Sequence, residues 1–258
     1  MHIRPAARGA LIGAALLPVA ALAAAALPPL PWTDPDRPAP RTAPPAAGPE
    51  HPAPVTAAQL LDAVRDCEQI SDGRYRTDEE KEPTIPVCAT GDRSGGGTGR
   101  GAGVVHWTAD MDIDCDGRPG RYCNARTDPY FADLTNFTAS DGGPLDAERL
   151  PYVVVPEPSD RWDHREYGIG AGTAAAIVYR GMVRYAVVGD TGPADLIGEA
   201  SHAAAASLGI PPHPGGGGAP DHVTYIFFPH SKVSPVESIG AAQAEGERRA
   251  RQLLGRQG

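Results

Sequence analysis

The amino-acid sequence predicts a small, mainly β fold, a barrel with a few short helices. Three observations predict it. Apolar runs are short and bounded by turn residues: Thr84 to Ala89 (TIPVCA), Pro151 to Val155 (PYVVV), Ala174 to Tyr179 (AAAIVY), Met182 to Val188 (MVRYAVV) and Val223 to Phe228 (VTYIFF). Glycine (31) and proline (28) are abundant in 258 residues, which favours tight turns over long helices. A single alanine-rich helix follows a strand and a glycine turn, the decoration expected on a small barrel.

The first 26 residues read as a secretory signal. His2, Arg4 and Arg8 precede an apolar run from Ala10 to Ala26 that ends in small residues suited to cleavage. Leu27 to Val55 is proline-rich without an apolar period and reads as an extended linker. About 200 residues remain, enough for one domain with its own core. The expected division is a catalytic domain over 56–235 and a C-terminal helical tail over 236–258, exposed and without chemistry. Net charge is −9, so no basic face points to nucleic acid, and an acidic surface suits a cationic ligand.

Four cysteines, Cys67, Cys88, Cys115 and Cys123, follow the signal. An even count in an exported chain favours two disulfides. Pairing of neighbours is the simplest of three connectivities. The spacings are not those of zinc sites, and no metal or cofactor is expected.

Thr56 to Cys67 has a Thr cap and apolar Leu60, Leu61 and Val64, the pattern of a short amphipathic helix. Asp72 to Glu82 is charged and turn-like. Gly91 to Gly103 is a glycine-rich loop without the Lys-Ser or Lys-Thr of a phosphate cradle. His106 to Asp116 (HWTADMDIDCD) is more informative. Asp110, Asp112, Asp114 and Asp116 alternate with Met111, Ile113 and Cys115, so a strand puts four carboxylates on one face. Such a face is wet, binds a cation or meets a cationic substrate. The string also mimics the start of a calcium loop, but the twelfth position, where a Glu belongs, is Cys123. Asn136-Phe137-Thr138 matches a glycosylation acceptor, and Trp162 to Tyr167 is a polar aromatic loop suited to the border of a cleft.

Gly189 to Ile210 (GDTGPADLIGEASHAAAASLGI) is the candidate active site. The strand ending at Val188 delivers Asp190, a turn at Thr191-Gly192-Pro193 follows, and Glu199 stands before a helix capped by Ser201. Two carboxylates nine residues apart suit general acid and base work. From the residues alone, Asp190 equally suits an Asx-turn and Glu199 a helix-entry charge. Ser201-His202 lacks a third partner for nucleophilic catalysis.

The segments ADMDIDCDG, PYVVVP, YAVVGDTGP, IGEAS and VTYIFF, in that order, resemble the chitosanases of glycoside hydrolase family 75, over roughly Val104 to Phe228. A fainter similarity links GDTGPADLIGEASHAAAASLGI to double-psi β-barrel proteins and so implies a double-psi-like β-barrel. The family resemblance implies a secreted enzyme that hydrolyses β-1,4 glucosamine linkages in chitosan with inversion. Its two essential acidic residues fall on Asp190 and Glu199, with Glu199 the acid and Asp190 the base. A helix dipole behind Glu199 would lower its pKa and reverse the roles. Asp112, Asp114 and Asp116, with Thr191 and Tyr185, are the candidate substrate-binding residues. The expected partner is chitosan, with no nucleic acid, no membrane insertion after signal cleavage, and a monomeric state. The alternatives are a peptidoglycan-cleaving barrel of the lytic transglycosylase kind and a non-catalytic, expansin-like polysaccharide-binding module.

Overall fold

Alternation of apolar side chains along each strand decides the architecture. The computed structural model describes residues 53–78, 81–91 and 103–255. The signal, most of the proline-rich stretch and the centre of the glycine-rich loop lie outside them. In chain order the elements are α1 (Ala57–Ala63), β1 (Glu68–Gln69), β2 (Cys88–Thr90), β3 (Val104–Asp114) and β4 (Tyr152–Pro156). A 3-10 turn (His164–Tyr167) precedes β5 (Ala174–Tyr179), β6 (Met182–Gly192), β7 (Glu199–Ser201), α2 (His202–Ser207), β8 (Ala219–Phe227) and α3 (Ile239–Gly255).

Six strands close on themselves in the order β3-β7-β4-β6-β5-β8, with β8 returning to β3, while β2 and β1 extend one edge. The pairs β3/β7 and β4/β6 are parallel and the others antiparallel. Residues two apart fill the interior: Val105, Trp107, Ala109 and Met111 from β3, Ala175 and Ile177 from β5, Val223, Tyr225 and Phe227 from β8. Trp107 is 1% exposed, and its ring centroid lies 4.4 Å from that of Phe227. Removing a buried ring of this size costs about 3–5 kcal/mol. The barrel is therefore a packed core and not a channel.

The intervening residues point outward, and the outer wall has two characters. Under α1 and α3 it is apolar, with Val104, Ala174, Ala176, Val178, Tyr185 and Ile226 buried against Leu60, Ala242, Ala250 and Leu253. Where no helix covers it, the wall is acidic. α1 is held by a capping box between Thr56 and Gln59, as its sequence predicts. Disulfides Cys67–Cys88 and Cys115–Cys123 tie α1 to β2 and the end of β3 to the following loop.

Two expectations change. The C-terminal helix is no exposed tail. Ala242, Gly246, Ala250 and Leu253 are buried, and α3 packs on β5 and β6. Its charged residues, such as Glu245 with Arg248 and Arg249, hide that stripe by lining the outer side. The strand reaching the candidate site also does not end at Val188. It runs to Gly192, with an irregularity that pairs Val153 with Val188 but Val154 with Asp190. Gly189 is thus the extra residue of a β-bulge. Under strict alternation Asp190 would follow Val188 into the apolar interior, and the bulge turns it out.

The docking of α3 is testable by thermal denaturation. Ala250→Asp buries a charge and is expected to lower stability by about 3 kcal/mol or more, whereas Gln243→Asp on the exposed side is near neutral. Equal effects would mean that the helix is not docked.

Candidate active site

Register builds the site. Asp112 pairs with Glu199 across β3 and β7, Val153 pairs with Ala200 across β7 and β4, and Val154 pairs with Asp190 across β4 and β6. Asp112, Glu199, Val154 and Asp190 therefore form one row over four adjacent strands, facing outward because the next row, Ala200, Val153 and Val188, fills the core. Val154 is the apolar floor between the two carboxylates. β7 and β6 are two strand spacings apart, about 9.5 Å.

Glycines make room for these groups. A Cβ on Gly192 would stand 2.7 Å from Glu199 Oε2, so the Glu199 carboxyl leans over Val154 toward β6. A Cβ on Gly198, whose φ is +113°, would stand 2.2 Å from Asp110 Oδ1. No other residue type fits there.

Asp190 is 5% exposed and accepts hydrogen bonds at Oδ1 from the backbone N–H groups of Asn136 and Thr191, both at 2.8 Å. The Asn136 side chain also donates to the Thr191 hydroxyl. Asp114 and Asp116 approach Asp190, the three offering carboxylate oxygens within 4.8 Å of one another. Asp114 accepts from the Asp116 N–H, and Asp116 from the Ala132 N–H. A second triad, Asp78, Asp110 and Asp112, meets the same limit.

On the acidic face Asp110 and Asp190 are buried, while Asp112, Asp114, Asp116 and Glu199 are half-buried and keep access to solvent. Burial is the leading cause of every shift within it. Glu199 is pushed up to about 7, first by desolvation and then by Asp112, Asp116 and Asp190. Desolvation lifts Asp110 to about 7 and Asp112 to about 6, with Asp112 adding to the rise of Asp110. Asp114 lies well above the ordinary range through burial and then through Glu199. Asp190 is raised by burial to about 6, and its two N–H donors oppose the rise. Glu199 sits in β7, three residues before α2 begins at His202 and outside its first turn, and the leading influence on it is desolvation, which raises its pKa.

Of the residues singled out from sequence, Asp112, Asp114, Asp116, Asp190, Thr191 and Glu199 come together here. Tyr185 does not. It lies on the part of the wall covered by α3, 7% exposed, with its ring against Gly246. Ser201 is structural: its hydroxyl donates to the Leu150 carbonyl and accepts from the Tyr152 and Ala204 N–H groups. His202 stacks on Tyr122. Sequence reasoning missed Asp78, Asn136 and the two glycine seats. Gly189, a glycine inside a strand, was the one signal for the bulge.

The register thus gathers carboxyl groups on the uncovered outer wall of a small barrel. The family described as "Fungal chitosanase of glycosyl hydrolase group 75" matches residues 111–254, more than half of the chain, and the chain belongs to it. Endo-chitosanase B of Aspergillus oryzae is 34% identical over 97 residues, 35% of this chain and 40% of that protein. An endo-chitosanase of Aspergillus fumigatus is 33% identical over 100 residues, 35% and 41% of the two chains. Another endo-chitosanase of Aspergillus oryzae is 32% identical over 143 residues, 50% of this chain and 58% of that protein. The chain thus spans between two fifths and three fifths of the relatives it matches. The solved Streptomyces papain inhibitor aligns over 47% of this chain and 93% of its own at 18% identity and TM-score 0.30, a likeness too slight to inform the fold.

The raised carboxyls set a direction for stability. The folded protein keeps protons that the unfolded chain sheds between about pH 4 and 7, so stability falls as pH rises through that window. Urea midpoints are expected to be higher at pH 5 than at pH 8. Asp110→Asn is expected to flatten the drop, and a midpoint that rises with pH would contradict the buried proton-sharing wall.

Proposed function

We propose that this protein is a secreted chitosanase that hydrolyses β-1,4 linkages between glucosamine units with inversion at the anomeric carbon. The observation that carries the reading is the row Asp112–Glu199–Val154–Asp190 in a chain of this family. Inverting hydrolysis needs two carboxyl groups roughly 6.5–9.5 Å apart, enough to admit a water between the base and the sugar. Strands two spacings apart, with Glu199 leaning toward Gly192, give a separation of that order.

Glu199, proton-bearing near neutrality, is the general acid. Its proton goes to the glycosidic oxygen as the bond from that oxygen to the anomeric carbon breaks. Asp190, held ionised by two N–H donors, takes a proton from a water whose oxygen bonds to the same carbon from the opposite face. One proton leaves the acid and one reaches the base. Asp112, Asp114 and Asp116 face the ammonium groups of the sugar chain, contacts that are stronger than neutral hydrogen bonds when partly buried. The Thr191 hydroxyl accepts from the Asn136 side-chain amide and so steadies the loop over Asp190.

Export and the extended linker before the catalytic domain belong to the same proposal, with the protein acting as a monomer on a polymer outside the cell. Among the described residues no helix is long and apolar enough to cross a membrane.

The reading is tested by incubating the purified protein with chitosan, chitin and peptidoglycan and sizing the products. Chitosan is expected to shorten, chitin to remain, and added salt to slow the reaction. Cleavage of peptidoglycan alone, or binding without cleavage, would point to the transglycosylase-like or expansin-like alternative. Glu199→Gln and Asp190→Asn are each expected to lower kcat about 10²–10⁴-fold with the fold intact. Most of the activity surviving in either variant would remove that residue from the mechanism. The pH profile of kcat/KM is expected to be bell-shaped, with limbs set by the coupled pair at about 6 and about 7. A flat profile from pH 5 to 8 would contradict the assignment.

A further inference from the structure

The second triad, Asp78, Asp110 and Asp112, is not used in the bond-breaking step, and a cation already sits in it. Lys81 pairs with Asp78, and its Nζ lies 3.6 Å from Asp110 Oδ2. Its Nζ also reaches the Thr77 hydroxyl at 3.4 Å. Asp110 is 4% exposed; Lys81 stands at its Oδ2, and its Oδ1, beside Gly198, has no hydrogen-bond partner among the described residues. Such a group in a buried place is costly unless something completes it. Asp112, the third member, is the direct neighbour of Glu199 in the row.

We propose that Asp78, Asp110 and Asp112 form a second amine subsite and that the Lys81 ammonium is its displaceable resident, standing where a glucosamine ammonium sits when substrate binds. The inference rests on the chitosanase reading and extends it to Asp78 and Asp110. Lysine and glucosamine present the same chemistry, a compact primary ammonium with three donors, which a planar guanidinium would not imitate. The Lys81 side chain is 54% exposed, so it can rotate into solvent without disturbing the barrel, and an ion pair with so exposed a partner is weak enough to yield. In the free protein Lys81 offsets repulsion within the triad. In the complex the sugar ammonium takes over that task beside the acid.

The chain has two lysines, Lys81 and Lys232, so a protein dimethylated with 13C has two lysine signals to follow. In the Glu199→Gln background, which slows turnover, a glucosamine trimer is expected to move the Lys81 signal to the position of a solvated dimethyl-lysine. The N-acetylglucosamine trimer should leave it in place, and Lys232 should not respond to either. In the otherwise unaltered protein at low salt, Lys81→Gln is expected to lower KM for chitosan about fivefold with kcat unchanged. A raised or unchanged KM in a folded Lys81→Gln protein, or an unmoved Lys81 signal while the glucosamine trimer is bound, overturns the subsite and leaves the chitosanase reading standing. If the parent neither binds nor cleaves any glucosamine oligomer, the chitosanase reading fails and the subsite falls with it.

Discussion

Crowding of carboxyl groups on one uncovered wall is the constraint on which the functional part of this molecule depends. Burial raises Asp110, Asp112, Asp114, Asp116, Asp190 and Glu199, and neighbouring carboxyls on the wall raise Asp110, Asp114, Asp190 and Glu199 further. Such groups cannot all ionise together near neutral pH, so the wall retains protons. Retention is what an acid catalyst needs. Position within the crowd then sets Glu199 and Asp190 apart. Among the described residues no backbone N–H donates to Glu199, which keeps its proton to about 7, while Asp190 has two such donors and gives its proton up earlier.

The crowd exists because the barrel enforces it. A filled interior of alternating apolar residues fixes the register, and register alone sets Asp112 beside Glu199 and Val154 beside Asp190. The bulge at Gly189 supplies the one departure from alternation that brings Asp190 out, and the Cys115–Cys123 disulfide anchors the end of the acidic strand between Asp114 and Asp116. Elsewhere the outer wall is apolar and covered by α1 and α3, which leaves the costly surface confined to the functional face.

Much of this was legible in the sequence where the signal is local. The strand AAAIVY, the Thr56 and Ser201 caps and the four-aspartate alternation follow from period and capping. Asp190 and Glu199 stood out in the sequence by residue type and spacing, but their placement in one row did not. A three-residue strand such as β7 has too few residues to show a period, and its membership is set by partners far away in the chain. Asp78 sits in a charged turn with nothing to connect it to Asp110, and Tyr185 looked like a cleft residue because no local feature foretold that α3 covers it. The amphipathic stripe of α3 is built from alanine and glycine, too weakly apolar to announce a buried face.

The claim that two carboxylates act across Val154 on a single water is tested most directly by the configuration of the first product. Hydrolysis of a glucosamine oligomer, followed by proton NMR at the anomeric position before mutarotation, should show the α-anomer appearing first, because a single displacement inverts the β-linkage. A β-anomer appearing first would mean a retained configuration and a covalent intermediate, and would contradict the assignment of Asp190 as a base.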